Sequence, residues 1–460
     1  MMLFVGILML YLSGAALLVR LHNGLSWKEM VSFSFVIGLG VNTFFMFLCD
    51  VIGFGFNQYV LFFATFALIV FSYDLLFDYY RSHKQYIRLP TLSLSEMNYP
   101  AIVLFFVIFV LFYIITTKNL YWPTSEHDAI GSFDKLGMVM ALEGKLKISL
   151  FEWGLQGSGG IYPPFFHGGI AYMYLFGAES PKIITTLFFI SMLLSFYAIA
   201  KMYVSSIVAL FFTLLLEITP ELYSHAALLL GNLPTTATVG LAALTLFVAL
   251  DKNDMRYLWL SAIFTALALW CRNDTIGFAI AALGIVAFHF LKEKNWKVIL
   301  IFSSISFSTF IIWTLYLKFK IDIVQGSRFV DDFGFNLNKF DIIITYIIAM
   351  LSWKQFGTLP PGTMLYGLGF LIPLILILLN FKSLKSDRPF ILVYFLVSFL
   401  IYSLIFYLID EQKQSSPITE LMESSFKRGM FCFLPILLFY AATNPLSRKF
   451  SAWLENYRLN

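Results

Sequence analysis

Long apolar runs separated by short charged stretches recur along nearly the whole chain. A bilayer crossing takes about 20 mostly apolar residues in one helix. Fourteen runs qualify as candidate spans: 2–19, 30–50, 57–77, 99–117, 161–177, 182–199, 203–218, 235–250, 256–271, 275–291, 298–317, 365–380, 390–409 and 430–444. Short basic loops orient them, because Lys and Arg collect on the cytoplasmic side. Basic residues mark 20–28, 78–98, 292–297, 381–388 and the tail, which places all five inside. The loops 118–160, 318–364 and 410–428 then fall outside. An outer N-terminus and an inner C-terminus require an odd number of crossings, so about 13 spans are expected. One candidate between 161 and 250 should therefore be re-entrant or merge with a neighbour. Thr219–Pro234, with its prolines, acidic side chain and histidine, is the place to look. Irregular backbone at membrane depth survives only inside protein or beside a wet cavity.

Composition agrees with this pattern. Apolar residues make up 59% of the 460 positions, charged residues 13%, and mean hydropathy is +0.81. A soluble domain carries about 25% charged residues. The 52 Phe suit lipid contact, and Tyr and Trp suit the headgroup zone. The expected fold is an all-α polytopic bundle in contact with membrane lipids. The N-terminus lacks a basic leader and a small-residue cleavage site before Arg20, so it reads as a retained span. Net charge is only +4, with no basic stripe and no nucleic-acid motif. Cys49, Cys271 and Cys432 lie in apolar segments without ligand or framework spacing.

Three polar constellations interrupt the apolar pattern. The first is Glu126-His127-Asp128, about nine residues beyond the end of a candidate span. Carboxylates there could take a proton from a hydroxyl or hold a divalent cation, although acids in an outer loop are often merely solvated. Ala129, Phe133, Leu136, Met140 and Leu142 follow at roughly helical spacing, and Gly144 would end that helix. Such a helix would lie on the membrane with its apolar face down. Tyr162-Pro163-Pro164 then opens the next span, with proline suited to the first helical turn.

The second constellation is Cys271-Arg272-Asn273-Asp274 between two apolar runs. The planar fork of Arg272 could bind a phosphate, or it could simply pair with Asp274. The third is Glu423 to Gly429, with Lys427 and Arg428 at the outer mouth of the last span. Outer cations run against the positive-inside bias, so capture of an anionic headgroup stands beside ordinary snorkelling of long side chains. His167 and His225 are isolated, and neither has a second histidine at metal-ligand spacing.

Taken in order, these pieces resemble the GT-C superfamily of membrane glycosyltransferases, which includes protein O-mannosyltransferases and aminoarabinose transferases. The parts that carry the likeness are Glu126-His127-Asp128, the 129–144 helix, Tyr162-Pro163-Pro164, the L-F-G turn before Lys182, the C-R-N-D turn, and K-R-G-M-F-C-F-L-P-I-L-L. The likeness spans roughly 99–444 and leaves 1–98 as a three-span N-terminal addition to a 99–460 catalytic domain. It implies a first outer loop with interfacial helices and an active site facing outside. It implies an inverting enzyme that moves a sugar from a polyprenyl-phosphate-sugar donor to a glycan, lipid or protein acceptor. Asp128 would be the general base, with Glu126 assisting. Arg272, Lys427 and Arg428 would hold the donor phosphate. His127, Tyr162, Asp274 and His225 would line the substrate cavity. No metal ligand set is predicted, and Mg or Mn could serve beside the acids without being required. The setting implied is a multi-pass plasma-membrane protein, most naturally the bacterial inner membrane. The chain departs from the family in three respects: His127 separates the two acids, where the family often has them adjacent; the acidic loop follows the fourth candidate span, where the family's usually follows the first; and it lacks the large C-terminal outer domain of oligosaccharyltransferases. A glycan polymerase or ligase using a lipid-diphosphate donor is the main alternative and would rely on Arg328 and His225. A transporter or flippase is disfavoured by the lack of an internal repeat.

Overall fold

The computed structural model describes residues 1–87, 99–155, 162–322, 330, 336–352, 365–380, 389–414 and 416–458. Its elements there are all helices. In chain order they are α1 (Met2–Leu21), α2 (Trp27–Val51), α3 (Gln58–Phe71), α4 (Tyr73–Ile87), α5 (Tyr99–Tyr121), α6 (Asp134–Glu143), α7 (Ser149–Glu152) and α8 (Phe165–Leu175). Next come α9 (Ile183–Ala200), α10 (Ser206–Glu217), α11 (Pro220–His225), α12 (Asn232–Lys252), α13 (Met255–Cys271), α14 (Ile276–Lys292) and α15 (Trp296–Tyr316). The chain finishes with α16 (Leu337–Leu351), α17 (Leu371–Leu379), α18 (Pro389–Leu408), α19 (Glu411–Gln414), α20 (Ile418–Leu421), α21 (Lys427–Met430), α22 (Leu434–Thr443) and α23 (Pro445–Arg458).

Among the described residues, nine helical segments are long and apolar enough to cross a bilayer. A tenth arises if α3 and α4, bent by 63° at Ser72, count as one. The expected count was about 13, and the difference has local causes. Candidates 161–177 and 203–218 fold as α8 and α10, of 11 and 12 residues. At 1.5 Å per residue each is under about 20 Å long, short of a hydrocarbon core of about 30 Å. Pro163 and Pro164 precede α8, and a turn at Gly177 follows it. Beyond α10, Thr219 is held extended (ψ 115°) by the Pro220 that follows it. Candidate 365–380 yields only α17, of 9 residues.

The last span also differs. The stretch 410–428, expected as an outer loop, is helical from Ile418 onward through α20, a π-helical turn at Met422–Phe426, and α21. Lys427 and Arg428 therefore sit inside a helical segment and not at the end of a loop.

Helix α12 is the axis of the bundle, buried from Asn232 to Ala249. Small and hydroxylated residues let its neighbours approach, as membrane helices require. The Thr235, Thr238 and Thr245 hydroxyls donate to carbonyls one turn back, at 2.7, 3.0 and 2.6 Å, and so leave no polar group unmet. Helix α5 is peripheral, with Phe105, Phe106 and Phe109 exposed where lipid would lie.

The helix predicted over 129–144 forms as a π-helical turn (Ala129–Phe133) running into α6 and is closed by Gly144 at φ 65°. Its apolar face does not lie on lipid. Ala129, Phe133, Leu136 and Met140 are buried in the protein core, and α6 packs on α8, while Leu142 is exposed. The N-terminal helices join the same core. Asp50, at the end of α2, accepts from the Leu146 and Lys147 amides at 2.8 and 3.3 Å and from the Tyr316 hydroxyl.

The two ends of the bundle differ in chemistry. At one end Arg20 donates to Ser72 at 2.9 Å, Lys28 lies 5.0 Å over the Tyr197 ring, and His22 faces Asp254 at 4.0 Å. The helix ends carrying 126–128, 221–232, 271–274 and 427–429 gather at the other.

Candidate active site

The acidic segment is fixed from beneath. At the end of α5, the Asn119 side-chain amide donates to Thr185 (3.1 Å), Thr186 (2.8 Å) and the Ala226 carbonyl (2.8 Å). The two N–H groups of this one buried amide, shared among three acceptors, tie α5, α9 and the 226 turn together. The chain then passes Pro123, whose carbonyl accepts from the buried Lys182 Nζ at 3.4 Å. Burial lowers the Lys182 pKa, with the Glu126 carboxylate pulling it back up. Glu126 itself accepts from Ser125 at 3.3 Å, and its other oxygen is buried without a partner.

Asp128 precedes the π-helical turn, yet its side chain makes no cap. Its Oδ2 accepts instead from Arg428 Nη1 at 2.7 Å, across 300 residues of sequence. A charge-assisted contact of this length is among the stronger polar bonds.

The cationic turn is held by its own carbonyls. Tyr402 donates to the Phe426 carbonyl at 3.1 Å, Tyr366 to that of Lys427 at 2.6 Å, and Asn232 to that of Arg428 at 3.4 Å. With its backbone satisfied this way, the turn leaves both cationic side chains facing a cleft.

Helix α11 forms the opposite wall. Glu221 Oε1 lies 3.9 Å from Lys427 Nζ and 3.9 Å from His225 Nδ1. Burial raises the Glu221 pKa, while Lys427 and Arg428 pull it back. His225 Nδ1 bonds the Glu221 carbonyl at 2.8 Å, so Nδ1 carries the proton and Nε2 is left as a bare acceptor. Nε2 is buried with no partner, and the ring sits 4.8 Å from Phe431. Burial pushes the His225 pKa down to about 4, which keeps the ring neutral at pH 7.

These groups enclose a cleft of about 350 Å³, lined by Glu126, His127, Asp128, Glu221, His225, Lys427 and Arg428 among others. Three of the predicted groups thus converge: the acidic segment, His225 and the cationic pair. Arg272 does not join them. It grips Asp274 through two bonds, at 3.1 and 2.5 Å, and lies 5.0 Å over the Tyr162 ring. That pair lines a separate small cavity with Asn232, Thr235, Gly429 and Cys432. Tyr162 in turn stacks on Phe133 at 6.4 Å. His127 is fully exposed at the cleft mouth. Arg328 lies outside the described residues. Among the described residues, no three of His, Cys, Asp or Glu gather closely enough to hold a metal ion.

Residues 163–313 match the family model of dolichyl-phosphate-mannose-protein mannosyltransferases. The match supports a GT-C type membrane glycosyltransferase. The match covers a third of the chain. It includes the α11 wall and the Arg272 turn, but stops short of Asp128 on one side and of Lys427 and Arg428 on the other. No curated protein and no solved structure matches the chain significantly.

Sequence reasoning missed Glu221, Lys182 and the carbonyl-binding set of Asn232, Tyr366 and Tyr402. The one available signal was Pro220-Glu221 followed by His225 in a polar break between apolar runs, which places the acid and the imidazole one turn apart.

Proposed function

We propose that this glycosyltransferase moves a sugar from a polyprenyl-phosphate-linked donor to an acceptor hydroxyl, with inversion, at the outer face of the plasma membrane. The observation that carries the reading is the meeting of Asp128 with Arg428 and Lys427 in one cleft, from segments 300 residues apart. Direct displacement needs two things there: a base for the acceptor proton and cations for the leaving phosphate. Asp128 accepts the acceptor's proton as the acceptor oxygen attacks the anomeric carbon. The bond from that carbon to the phosphate oxygen breaks on the far side, and its electron pair goes to the phosphate. Lys427 and Arg428 stabilise that developing charge in a partly dry site, where fixed cations are most effective. Arg428 exchanges Asp128 for phosphate as the donor enters, which frees the carboxylate to act. Glu126 orients the acceptor, and the Nε2 of His225 accepts from a sugar hydroxyl.

The test is sugar transfer by purified protein in detergent with a panel of polyprenyl-phosphate sugars, wild type against Asp128→Asn. Loss of a general base costs about 100- to 10,000-fold in rate. The expected result is donor binding retained with turnover reduced in that range. Unchanged turnover in the variant would remove Asp128 from the mechanism, whereas a wild type that binds no donor of the panel would favour the diphosphate-donor polymerase, in which His225 would matter.

A further inference from the structure

The cleft holds more negative than positive side chains. Asp128, Glu221 and Glu126 line it against Lys427 and Arg428, and His225 is neutral. Among the described lining residues there is no third cation. The carboxylates are not equivalent. Asp128 is half exposed, so water screens it, whereas the Glu221 side chain is only 12% exposed and stands on the inner wall against Lys427. An anion bound to Lys427 therefore sits beside a poorly screened carboxylate. At low effective dielectric a like charge across such a gap is strongly unfavourable.

We infer that Glu221 is a specificity-determining residue that limits the donor headgroup to one negative charge, admitting a phosphodiester and rejecting a diphosphate. The inference rests on the lipid-phosphate donor reading above. On the inner wall a phosphodiester and an ionised Glu221 bring two negative charges against the two cations, while Asp128 is screened by water and Glu126 is attracted to Lys182. A diphosphate diester by itself brings two. Its second phosphate would lie in a walled cleft that offers Glu221, Glu126 and Asp128 but no further cation. The same wall has a second effect. Transfer converts the phosphodiester into a phosphate monoester that gains charge as it ionises, and repulsion by Glu221 then favours product release.

A rival account gives Glu221 a purely structural role, as the partner of Lys427 and of His225 in α11. Glu221→Gln separates the two, because it keeps size and hydrogen-bonding capacity and removes only the charge. The probes are a polyprenyl methyl phosphodiester and the matching polyprenyl methyl diphosphate diester, with the same chain length and no sugar. Binding of each to the full-length protein in detergent would be measured by calorimetry at neutral pH. Wild type should prefer the phosphodiester. Glu221→Gln should improve diphosphate binding relative to the phosphodiester by on the order of tenfold. Glu221→Asp, which retains the charge, should keep the wild-type ratio and controls for loss of folding. A ratio unchanged in Glu221→Gln overturns the role of Glu221 and leaves the donor reading standing, whereas a wild type that prefers the diphosphate overturns both. Failure of wild type to bind either probe overturns the donor reading and this inference with it.

Discussion

Gly429 follows the two cations directly and offers a way to disturb them without touching the cleft. A Cβ there would lie 2.5 Å from the Tyr402 Cζ and 3.0 Å from its Cε2, and closer still to its hydroxyl. The Tyr402 ring has little room to yield, since it packs on Phe426 at 5.0 Å, Phe406 at 5.1 Å and Phe433 at 5.8 Å. Gly429→Ala must therefore push out the turn or displace Tyr402 from the Phe426 carbonyl. Overpacking of this kind costs about 1–3 kcal/mol, and a lost hydrogen bond adds about 1 kcal/mol. A total of about 2–4 kcal/mol is expected in the unfolding free energy measured by denaturant titration in micelles. Turnover should fall on the order of 100-fold, because a shift of about 1 Å in a positioning group costs that much. The decisive comparison is the same substitution in a Tyr402→Leu background. Leu lacks the hydroxyl and both ring carbons that the new methyl would strike, so Gly429→Ala should cost under about 0.5 kcal/mol there. Equal costs in the two backgrounds would refute the steric argument and the claim that Tyr402 sets the position of the cationic turn.

Acid should weaken the fold through its buried neutral histidines. The pKa of His225 lies at about 4 against an ordinary value of 6.5, so its contribution is complete above about pH 6.5 and is lost as pH falls towards 4. His22 behaves alike. Each contributes roughly 3 kcal/mol over that window, and the drop in melting temperature between pH 7.5 and pH 5 should be smaller in His225→Gln than in wild type. Asp274→Leu alone strands the Arg272 guanidinium and should cost on the order of 2–4 kcal/mol, the lower end reflecting the partial exposure of Asp274. Arg272→Met with Asp274→Leu should recover most of that and leave donor binding intact; a stable double variant that no longer binds donor would return Arg272 to the phosphate site.

The all-helical membrane architecture was legible because it rests on hydropathy, which is a local and additive property. The number of full-length spans was not, because it turns on breaks that hydropathy averages away. Candidate 203–218 is as apolar as its neighbours, yet α10 ends after 12 residues because Pro220 forces Thr219 out of the helix. The reverse error occurs at 418–428. Its polar side chains read as a loop, but Glu423 and Lys427 find partners in Tyr346 and Glu221, and the segment stays helical. For the 129–144 helix, periodicity located the apolar face and the Gly144 stop. It could not say whether that face would meet lipid or α8, because both are apolar.

The same division between local and distant information explains which site residues could be found. Asp128, Lys427 and Arg428 stand out because each is a charge in a place where charge is costly, and that cost is visible in the sequence alone. Arg272 stands out for the same reason, but the partner that meets the cost is Asp274, two residues away. Cost therefore marks charges without saying what offsets it. A short-range partner leaves the charge locally satisfied, as at Arg272. A partner 300 residues away makes two chain segments meet, and the place where they meet is a cleft a ligand can enter, as at Asp128 and Arg428. Glu221 escaped notice because helical breaks commonly carry an acid. Only the arrival of Lys427 from the last span turns that acid into a wall of the site. The feature that separates a candidate catalytic charge from a structural one here is the sequence distance to its partner, and only a three-dimensional structure supplies that distance.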